Sequence, residues 1–236
     1  MVEERAICLG GSVSCGRLYL EDLTFYMPDG QRVEVKKTYK PDGYSGHNMA
    51  NLVARHKGRY HLLGLFCRPG MKVLDFPCGS GYAAQLLKDQ GVIYEGRDFD
   101  EPTLEYARHM YGGPKSRFNF GDLTKPELAV GSYNLIGCLE GIEHISREFQ
   151  FPAVESFYRA LKPGGILVVS SPESSTGESG SGRDNRWHKW ELSRNDFLSM
   201  LHSYFGEESV ELITLKEVLH TGVMSTCFYA VCRKSI

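Results

Sequence analysis

The sequence contains no apolar run approaching the ~18 residues that a membrane-spanning helix requires. Its seven cysteines include no Cys-x-x-Cys pair, so neither a zinc site nor a disulfide framework is indicated. The formal net charge is only −2, which excludes an overall positive field for binding a nucleic-acid backbone. The opening residues Met1-Val2-Glu3-Glu4-Arg5 are acidic, unlike a signal peptide. These absences predict a cytoplasmic protein with reduced thiols, no membrane partner and nucleic acid as a disfavoured partner.

The chain has 236 residues, which is enough for one α/β domain with a small appendage. From residue 71 onward, strand patterns alternate with helical patterns, which is typical of a doubly wound, mostly parallel sheet. The expected strands cover 72–76, 94–98, 117–120, 133–139, 165–171, 209–216 and 226–233, and the expected helices cover 47–66, 81–90, 101–111, 148–161 and 193–204. A loop, not a helix, separates the last two strands, so the last strand is expected to be antiparallel.

The first 45 residues differ in pattern from the rest. Apolar residues at 23–26 precede the turn Pro28-Asp29-Gly30, and alternating apolar and charged residues follow it at 33–36. This pattern predicts a β hairpin or meander. We therefore expect residues 1–45 to form a β-rich extension and residues 46–236 to form the main domain.

A segment rich in glycine and serine occupies residues 174–185. It contains no residues that could form a core, and it follows the expected fifth strand of the main sheet. Loops of this length are functional or disordered, and ligands of open α/β sheets bind beyond the carboxyl ends of the strands. We therefore predict that residues 174–190 form a lid over the substrate, mobile until the acceptor binds.

The strongest functional motif is the strand Val73-Leu74-Asp75 running into the turn Gly79-Ser80-Gly81 and a helix. Glycine lets the backbone approach a nucleotide-like cofactor closely, although the same glycines also satisfy the loose dinucleotide pattern. A carboxylate at Asp75 would repel a pyrophosphate but would attract the ammonium and sulfonium of S-adenosylmethionine. The segment resembles motif I of the class I S-adenosylmethionine-dependent methyltransferases.

Later segments match the same family in order. Asp98 lies 19 residues after Gly79, where an acidic residue can accept hydrogen bonds from a ribose, and Gly121-Asp122-Leu123 resembles the adenine-contacting position. Segments 132–136 and 161–167 resemble the fourth strand and the turn into the fifth. The resemblance implies a Rossmann-like fold with a seven-stranded sheet, and a cofactor site formed by Arg59, Tyr60, Asp75, Cys78, Gly79, Gly81, Asp98, Phe99, Asp122, Leu123 and Glu140.

Arg59 belongs to the pattern His56-x-x-Arg59-Tyr60, which resembles an element of methyltransferases in sugar and polysaccharide pathways. There the guanidinium could pair with the cofactor carboxylate through two parallel hydrogen bonds. The alternative is an exposed arginine on a helix.

Candidate chemical groups follow the fourth strand in Glu140-Gly141-Ile142-Glu143-His144. On a helix, positions 140, 143 and 144 would share one face, and the distant His188 could join them. The pattern resembles the metal site of the methyltransferases that cap small RNAs at the 2′-hydroxyl, and of quinone-pathway O-methyltransferases. It also occurs in small-molecule methyltransferases without a known metal.

Three interpretations of this group stay open. Glu140, Glu143, His144 and His188 could hold Mg²⁺ or Mn²⁺, because carboxylates with imidazole suit these ions better than an ion that prefers thiolate ligands. Without a metal, His144 or His188 would be the natural base, with Glu140 as a third catalytic candidate. Alternatively, Glu143 and His144 only cap or orient a helix.

The sequence therefore predicts an S-adenosylmethionine-dependent methyltransferase acting on a small-molecule or glycan-like acceptor, at a hydroxyl. N-methylation of an amine and metal-dependent 2′-O-methylation of RNA termini remain alternatives. A catalytically silent cofactor-binding module that works through a partner is an alternative of a different class. The oligomeric state is not predicted.

Overall fold

The computed structural model describes residues 7–10, 17–38, 46–182, 185, 187–218 and 224–236, but not the side chains of 7–10, 46–49 and 218. Its strands are β1 (Ile7–Gly10), β2 (Leu23–Tyr26), β3 (Arg32–Lys36), β4 (Lys72–Asp75), β5 (Ile93–Asp98), β6 (Ser116–Phe120), β7 (Tyr133–Leu139), β8 (Leu161–Pro172), β9 (Val210–Val218) and β10 (Met224–Arg233). Its helices are α1 (Gly46–Gly64), α2 (Ala83–Leu86), α3 (Glu101–Tyr111), α4 (Arg147–Ala160) and α5 (Arg194–Phe205).

The main sheet has seven strands in the order β6-β5-β4-β7-β8-β10-β9. Strand β10 is antiparallel to both of its neighbours, whereas β4 to β8 pair in parallel. The predicted fold class is thus confirmed. The chain runs outward from β4 to β6 and then returns to β7, so the strand order reverses between β4 and β7. Ligands of open α/β sheets bind beyond the carboxyl ends of the strands at such a switch point.

Helices cover both faces of this sheet, and each face has its own core. On one face Phe157 of α4 and Phe197 of α5 pack with Phe228 of β10. On the other, Leu63 of α1 and Leu104 of α3 pack with further apolar residues. Since both faces are covered, the parallel strands are apolar almost throughout and do not alternate. No helix among the described residues is long and apolar enough to cross a membrane.

Two predicted helical segments are shorter in the structure. The segment 81–90 contains only α2 and a single 3-10 turn at Lys88–Gln90, because Gly81 (φ +80°) and Gly91 (φ +69°) adopt left-handed backbone conformations. The expected helical face at 140–144 is one 3-10 turn, Ile142–His144. It follows Glu140, whose φ of +53° is incompatible with a right-handed helix.

The N-terminal extension contains the predicted hairpin, in which β2 and β3 pair antiparallel, and β1 adds to β3 in parallel. Its apolar residues pack against Tyr106 of α3, and the hydroxyl of Tyr19 lies 2.8 Å from that of Thr103. Leu18 is buried within the core of the main domain. The described part of the extension is therefore packed directly onto the main domain.

Gly79 and Gly81, in the glycine turn, allow the cost of a positive φ to be separated from the cost of close packing. A Cβ at Gly81 would lie 2.6 Å from both Ala107 and Phe118, whereas a Cβ at Gly79 would meet nothing within 4 Å, although both have positive φ. We expect Gly79→Ala to lose about 1–2 kcal/mol of unfolding free energy through the backbone alone. Gly81→Ala should lose about 1–3 kcal/mol more through overpacking. Urea unfolding measures both, and equal losses would contradict the packing argument.

Candidate active site

The candidate site lies where β4, β5, β7 and β8 end, since the carboxyl ends of parallel strands share one edge of the sheet. Asp75 is the last residue of β4 and Asp98 the last of β5. Glu140 directly follows β7, and the glycine- and serine-rich loop follows β8. The sheet topology therefore brings together groups that are far apart in sequence.

Asp75 is completely buried at the end of β4. Its carboxylate accepts hydrogen bonds from the hydroxyls of Tyr94, at 2.6 Å, and Tyr60, at 3.4 Å. Burial raises the pKa of Asp75 to about 7, against the lowering effect of these hydrogen bonds. Tyr94 was not predicted as part of the site, because it lies in the interior of a strand with no local motif.

Asp98 is only 2% exposed and accepts two backbone hydrogen bonds, from Gly79 at 3.0 Å and Asp100 at 3.1 Å. The structure thus joins Asp98 to the glycine turn, and the neighbouring Phe99 is exposed. Arg17, from the N-terminal extension, donates from Nη2 to Oδ1 of Asp98 at 3.0 Å and lies 5.4 Å from the centre of the Phe99 ring. Sequence reasoning missed Arg17, because 81 positions separate it from Asp98 and no motif marks it.

The remaining predicted cofactor residues have well-defined local roles. One carboxylate oxygen of Asp122 accepts from the backbone and side chain of Thr124, both at 2.8 Å, forming an Asx turn. Leu123 is buried in the core, and Cys78 is buried against Gly96, where a Cβ would come 2.9 Å from the Cys78 sulfur. Burial raises the pKa of the Cys78 thiol well above its ordinary value.

Glu140 takes part in a partly buried ion pair. Its Oε2 lies 2.9 Å from Nη2 of Arg59, and its Oε1 accepts from the hydroxyl of Ser170 at 3.0 Å and the thiol of Cys227 at 3.1 Å. Burial alone would raise the pKa of Glu140, but Arg59 holds it below its ordinary value. Arg59 also pairs with Glu217 at 3.3 Å, so it is not the exposed helical arginine of the alternative interpretation.

Glu143, His144 and His188 form a separate cluster, in which one ligand atom of each lies within 4.8 Å of the others. Glu140 is not part of this cluster. Glu143 is 1% exposed, and neither of its carboxylate oxygens has a hydrogen-bond partner among the residues that the structure describes. Burial, together with the nearby charge of Glu140, raises the pKa of Glu143 to about 8. The Nε2 atom of His144 is 4.0 Å from its Oε1 atom.

Hydrogen bonds fix the proton of each imidazole ring. Nδ1 of His144 lies 3.1 Å from the carbonyl oxygen of Trp187. A carbonyl only accepts, so Nδ1 carries the hydrogen and Nε2 has the lone pair. Although the ring is partly exposed, its partial desolvation lowers the pKa of His144, which favours this neutral form. In His188, Nδ1 lies 2.5 Å from a carboxylate oxygen of Glu191 and Nε2 lies 2.8 Å from the amide nitrogen of Asn185, so both ring nitrogens are engaged.

The donor set fits a divalent cation in part. The carboxylate of Glu143, which has no hydrogen-bond partner among the described residues, is a suitable ligand for Mg²⁺ or Mn²⁺, whereas Nε2 of His144 is an imidazole donor that these ions prefer less. His188 would have to exchange its contact with Asn185 for the ion. The four-residue metal site stays a prediction, and the geometry brings three of its four members together.

Comparison with known proteins identifies the family. Residues 46–215 match the family model described as a methyltransferase domain. A probable S-adenosylmethionine-dependent methyltransferase from Mycolicibacterium smegmatis is 33% identical over 152 residues, which is 63% of this chain and 56% of that protein. A ubiquinone biosynthesis O-methyltransferase from Thiobacillus denitrificans is 31% identical over 106 residues, which is 43% of this chain and 44% of that protein.

The match thus spans about half the length of these curated relatives. Among solved structures, a geranyl diphosphate methyltransferase in complex with S-adenosylmethionine aligns with a TM-score of 0.65 at 15% identity, covering 81% of this chain and 91% of that one. At this identity the structural likeness supports the fold, and the family model supports the family. The chain therefore belongs to the methyltransferase-domain family and has the fold of the class I methyltransferases.

Proposed function

We propose that the chain methylates a hydroxyl group of a small-molecule or glycan-like acceptor, with His144 as the base. The observation that carries this proposal is the hydrogen bond from Nδ1 of His144 to the Trp187 carbonyl, which leaves the Nε2 lone pair available. A neutral imidazole can remove the proton that a hydroxyl must lose, and its ordinary pKa lies near neutrality. His188 has no free ring nitrogen among its described contacts, so it is the weaker candidate for the base.

The proposed reaction is an in-line displacement. The acceptor oxygen attacks the methyl carbon of S-adenosylmethionine, the carbon–sulfur bond breaks, and sulfur keeps the electron pair, giving S-adenosylhomocysteine. The hydroxyl proton moves to Nε2 of His144, while Nδ1 keeps its hydrogen bond to the Trp187 carbonyl. Because the protein mainly aligns two bound molecules, the contribution of Asp98 and the glycine turn is to position the donor.

A metal-assisted version is the second candidate, and the unpartnered carboxylate of Glu143 favours it. Glu143, His144 and His188 would hold the Mg²⁺ or Mn²⁺ ion. The ion would act as a Lewis acid that lowers the pKa of the acceptor hydroxyl. Terminal 2′-O-methylation of RNA would be one such reaction, but the net charge of −2 disfavours an RNA acceptor.

One relative supports oxygen as the acceptor atom. A ubiquinone biosynthesis O-methyltransferase is among the similar proteins, and its name describes methyl transfer to oxygen.

The cysteines that the structure describes are free and buried, which suits a reducing compartment, so we place the protein in the cytoplasm. N-methylation and a silent cofactor-binding module are the outcomes that would replace this proposal.

Cofactor binding is the first measurement. Titration calorimetry should show micromolar binding of S-adenosylmethionine and S-adenosylhomocysteine and no comparable binding of NAD⁺, because the chain matches a methyltransferase-domain family and its relatives include a probable S-adenosylmethionine-dependent methyltransferase. Transfer of a radiolabelled methyl group is then tested with matched acceptors that carry either a hydroxyl or an amine at the same position. Labelling of the amines alone would replace O-methylation by N-methylation, and cofactor binding without any transfer would favour the silent module.

A further inference from the structure

The ring of His188 is held by a chain of three hydrogen bonds. The backbone N–H of Trp187 donates to Oδ1 of Asn185 at 3.0 Å, so the amide nitrogen of Asn185 faces Nε2 of His188, at 2.8 Å. At the other side of the ring, Nδ1 donates to the Glu191 carboxylate at 2.5 Å. A carboxylate only accepts and an amide nitrogen only donates, so both contacts require the same tautomer, with the hydrogen on Nδ1.

Gly182 packs directly against the backbone of His188. A Cβ at Gly182 would lie 2.4 Å from the His188 Cβ, 2.8 Å from its carbonyl oxygen and 3.1 Å from the carbonyl oxygen of Asn185. A Cβ at Gly180, two residues earlier in the same loop, would meet nothing within 4 Å. The loop therefore requires glycine at 182 because of the close approach to His188, and it does not require glycine at 180.

The segment that carries His188 is in turn bonded to the segment that carries His144. The carbonyl of Trp187 accepts the Nδ1 hydrogen of His144, and the two imidazole rings pack edge to face with centroids 5.1 Å apart. The backbone N–H groups of Lys189 and Trp190 both donate to the Glu143 carbonyl, at 2.8 and 3.2 Å. A displacement of His188 or Trp187 would therefore change both the orientation and the tautomer of His144.

We propose that Gly182, Asn185 and Glu191 are positioning residues, which seat His188 and the Trp187 carbonyl so that His144 presents an unprotonated Nε2 to the acceptor. This inference rests on the proposed role of His144 and deepens it. The glycine- and serine-rich loop then contributes to catalysis by holding the histidine pair in place. This role differs from the predicted role as a lid.

The first test compares Gly182→Ala with Gly180→Ala, which keeps the loop backbone and adds the same methyl group in open space. We expect Gly182→Ala to lower kcat at least tenfold, because the overlap at 2.4 Å forces residue 182 and His188 apart and loosens the seat of the imidazole ring. Its affinity for S-adenosylhomocysteine should stay within twofold of the wild type, and Gly180→Ala should keep wild-type kcat. Equal kcat in the two variants would overturn the proposal.

The second test is spectroscopic and also serves if Gly182→Ala does not fold. Nitrogen-15 NMR of histidine-labelled protein should show His188 with its hydrogen on Nδ1, the signal being assigned by its loss in His188→Gln. In Glu191→Gln the amide nitrogen of Gln can donate to Nδ1 of His188, so we expect a mixture of His188 tautomers and a lower kcat. Glu191→Asp should recover part of the Nδ1–H tautomer and part of kcat. An unchanged His188 signal in Glu191→Gln would overturn the proposal. Absence of cofactor binding in the wild type would instead contradict the proposed function and leave the tautomer measurement interpretable.

Discussion

Replacing His144 by alanine is expected to lower turnover by about 10²–10⁴-fold, the usual contribution of a general base. The affinity for S-adenosylhomocysteine should be unchanged, because His144 belongs to the cluster after β7 and not to the glycine turn. The matched control is His109→Ala, which removes a half-exposed histidine on α3 that pairs with Glu105. Turnover is measured as initial rates of methyl transfer at saturating cofactor. Full activity in His144→Ala would point to an acceptor, such as an amine, that arrives already nucleophilic.

The pH profile and a chelator then distinguish the two versions of the mechanism. A base must be neutral, so turnover should fall on the acid side as His144 becomes protonated. Partial desolvation lowers the pKa of His144, so the acid limb should lie below the ordinary histidine value of about 6.5. Turnover that resists a chelator supports the base. Loss of turnover with a chelator, and its recovery with Mg²⁺ or Mn²⁺, would support the cation instead.

Local motifs were the part of the site that the sequence could predict. The strand, the glycine turn and Asp98 lie within about one βαβ unit, whose geometry is set by residues close in sequence. The spacing of 19 residues predicted Asp98 beside the glycine turn, where its carboxylate accepts from the Gly79 N–H, and its bond to a ribose stays a prediction. The ion pair between Arg17 and Asp98 could not be predicted in this way, because it depends on how the extension packs onto α3.

The segment after β7 shows why a pattern of spacing was insufficient. The expectation that Glu140, Glu143 and His144 share one face required an α-helix from residue 140 onward. Glu140 has a left-handed backbone and pairs with Arg59, so its carboxylate is directed to a different set of partners from that of Glu143. Sequence alone does not reveal a positive φ at a residue other than glycine, because surrounding contacts must enforce it.

The glycine- and serine-rich loop illustrates the limit of composition as a guide. Its residues cannot form an apolar core, as expected, but its backbone is bonded to the segment that follows it. Gly180 and Glu191 exchange two backbone hydrogen bonds, at 2.9 and 2.8 Å, and the backbone N–H of Ser174 donates to the Leu192 carbonyl at 3.1 Å. These contacts tie the loop to residues 191 and 192 of the following segment. The ordering of the loop on acceptor binding stays a prediction.

Asp98→Ala is expected to weaken binding of S-adenosylhomocysteine at least tenfold while leaving the fold intact. Hydrogen bonds from a ribose to a charged, buried carboxylate contribute about 1.5–3 kcal/mol, which corresponds to a tenfold effect or more. Calorimetry at constant ionic strength measures the change, and thermal unfolding checks the fold. An affinity within twofold of the wild type would remove Asp98 from the cofactor site.

Replacing Arg17 should strengthen S-adenosylhomocysteine binding, because its guanidinium occupies Oδ1 of the Asp98 carboxylate. A ribose hydroxyl that bonds to this oxygen must compete with Arg17, so we expect Arg17→Met to tighten S-adenosylhomocysteine binding by about two- to fivefold, the size of one partly exposed ion pair. The matched control is Arg32→Met, which removes an arginine of the same extension that pairs only with Glu34 among its described ion pairs. Weaker binding in Arg17→Met would mean that Arg17 contacts the cofactor directly. In the double variant with Asp98→Ala the gain should disappear, because the carboxylate for which Arg17 and the ribose compete is no longer there.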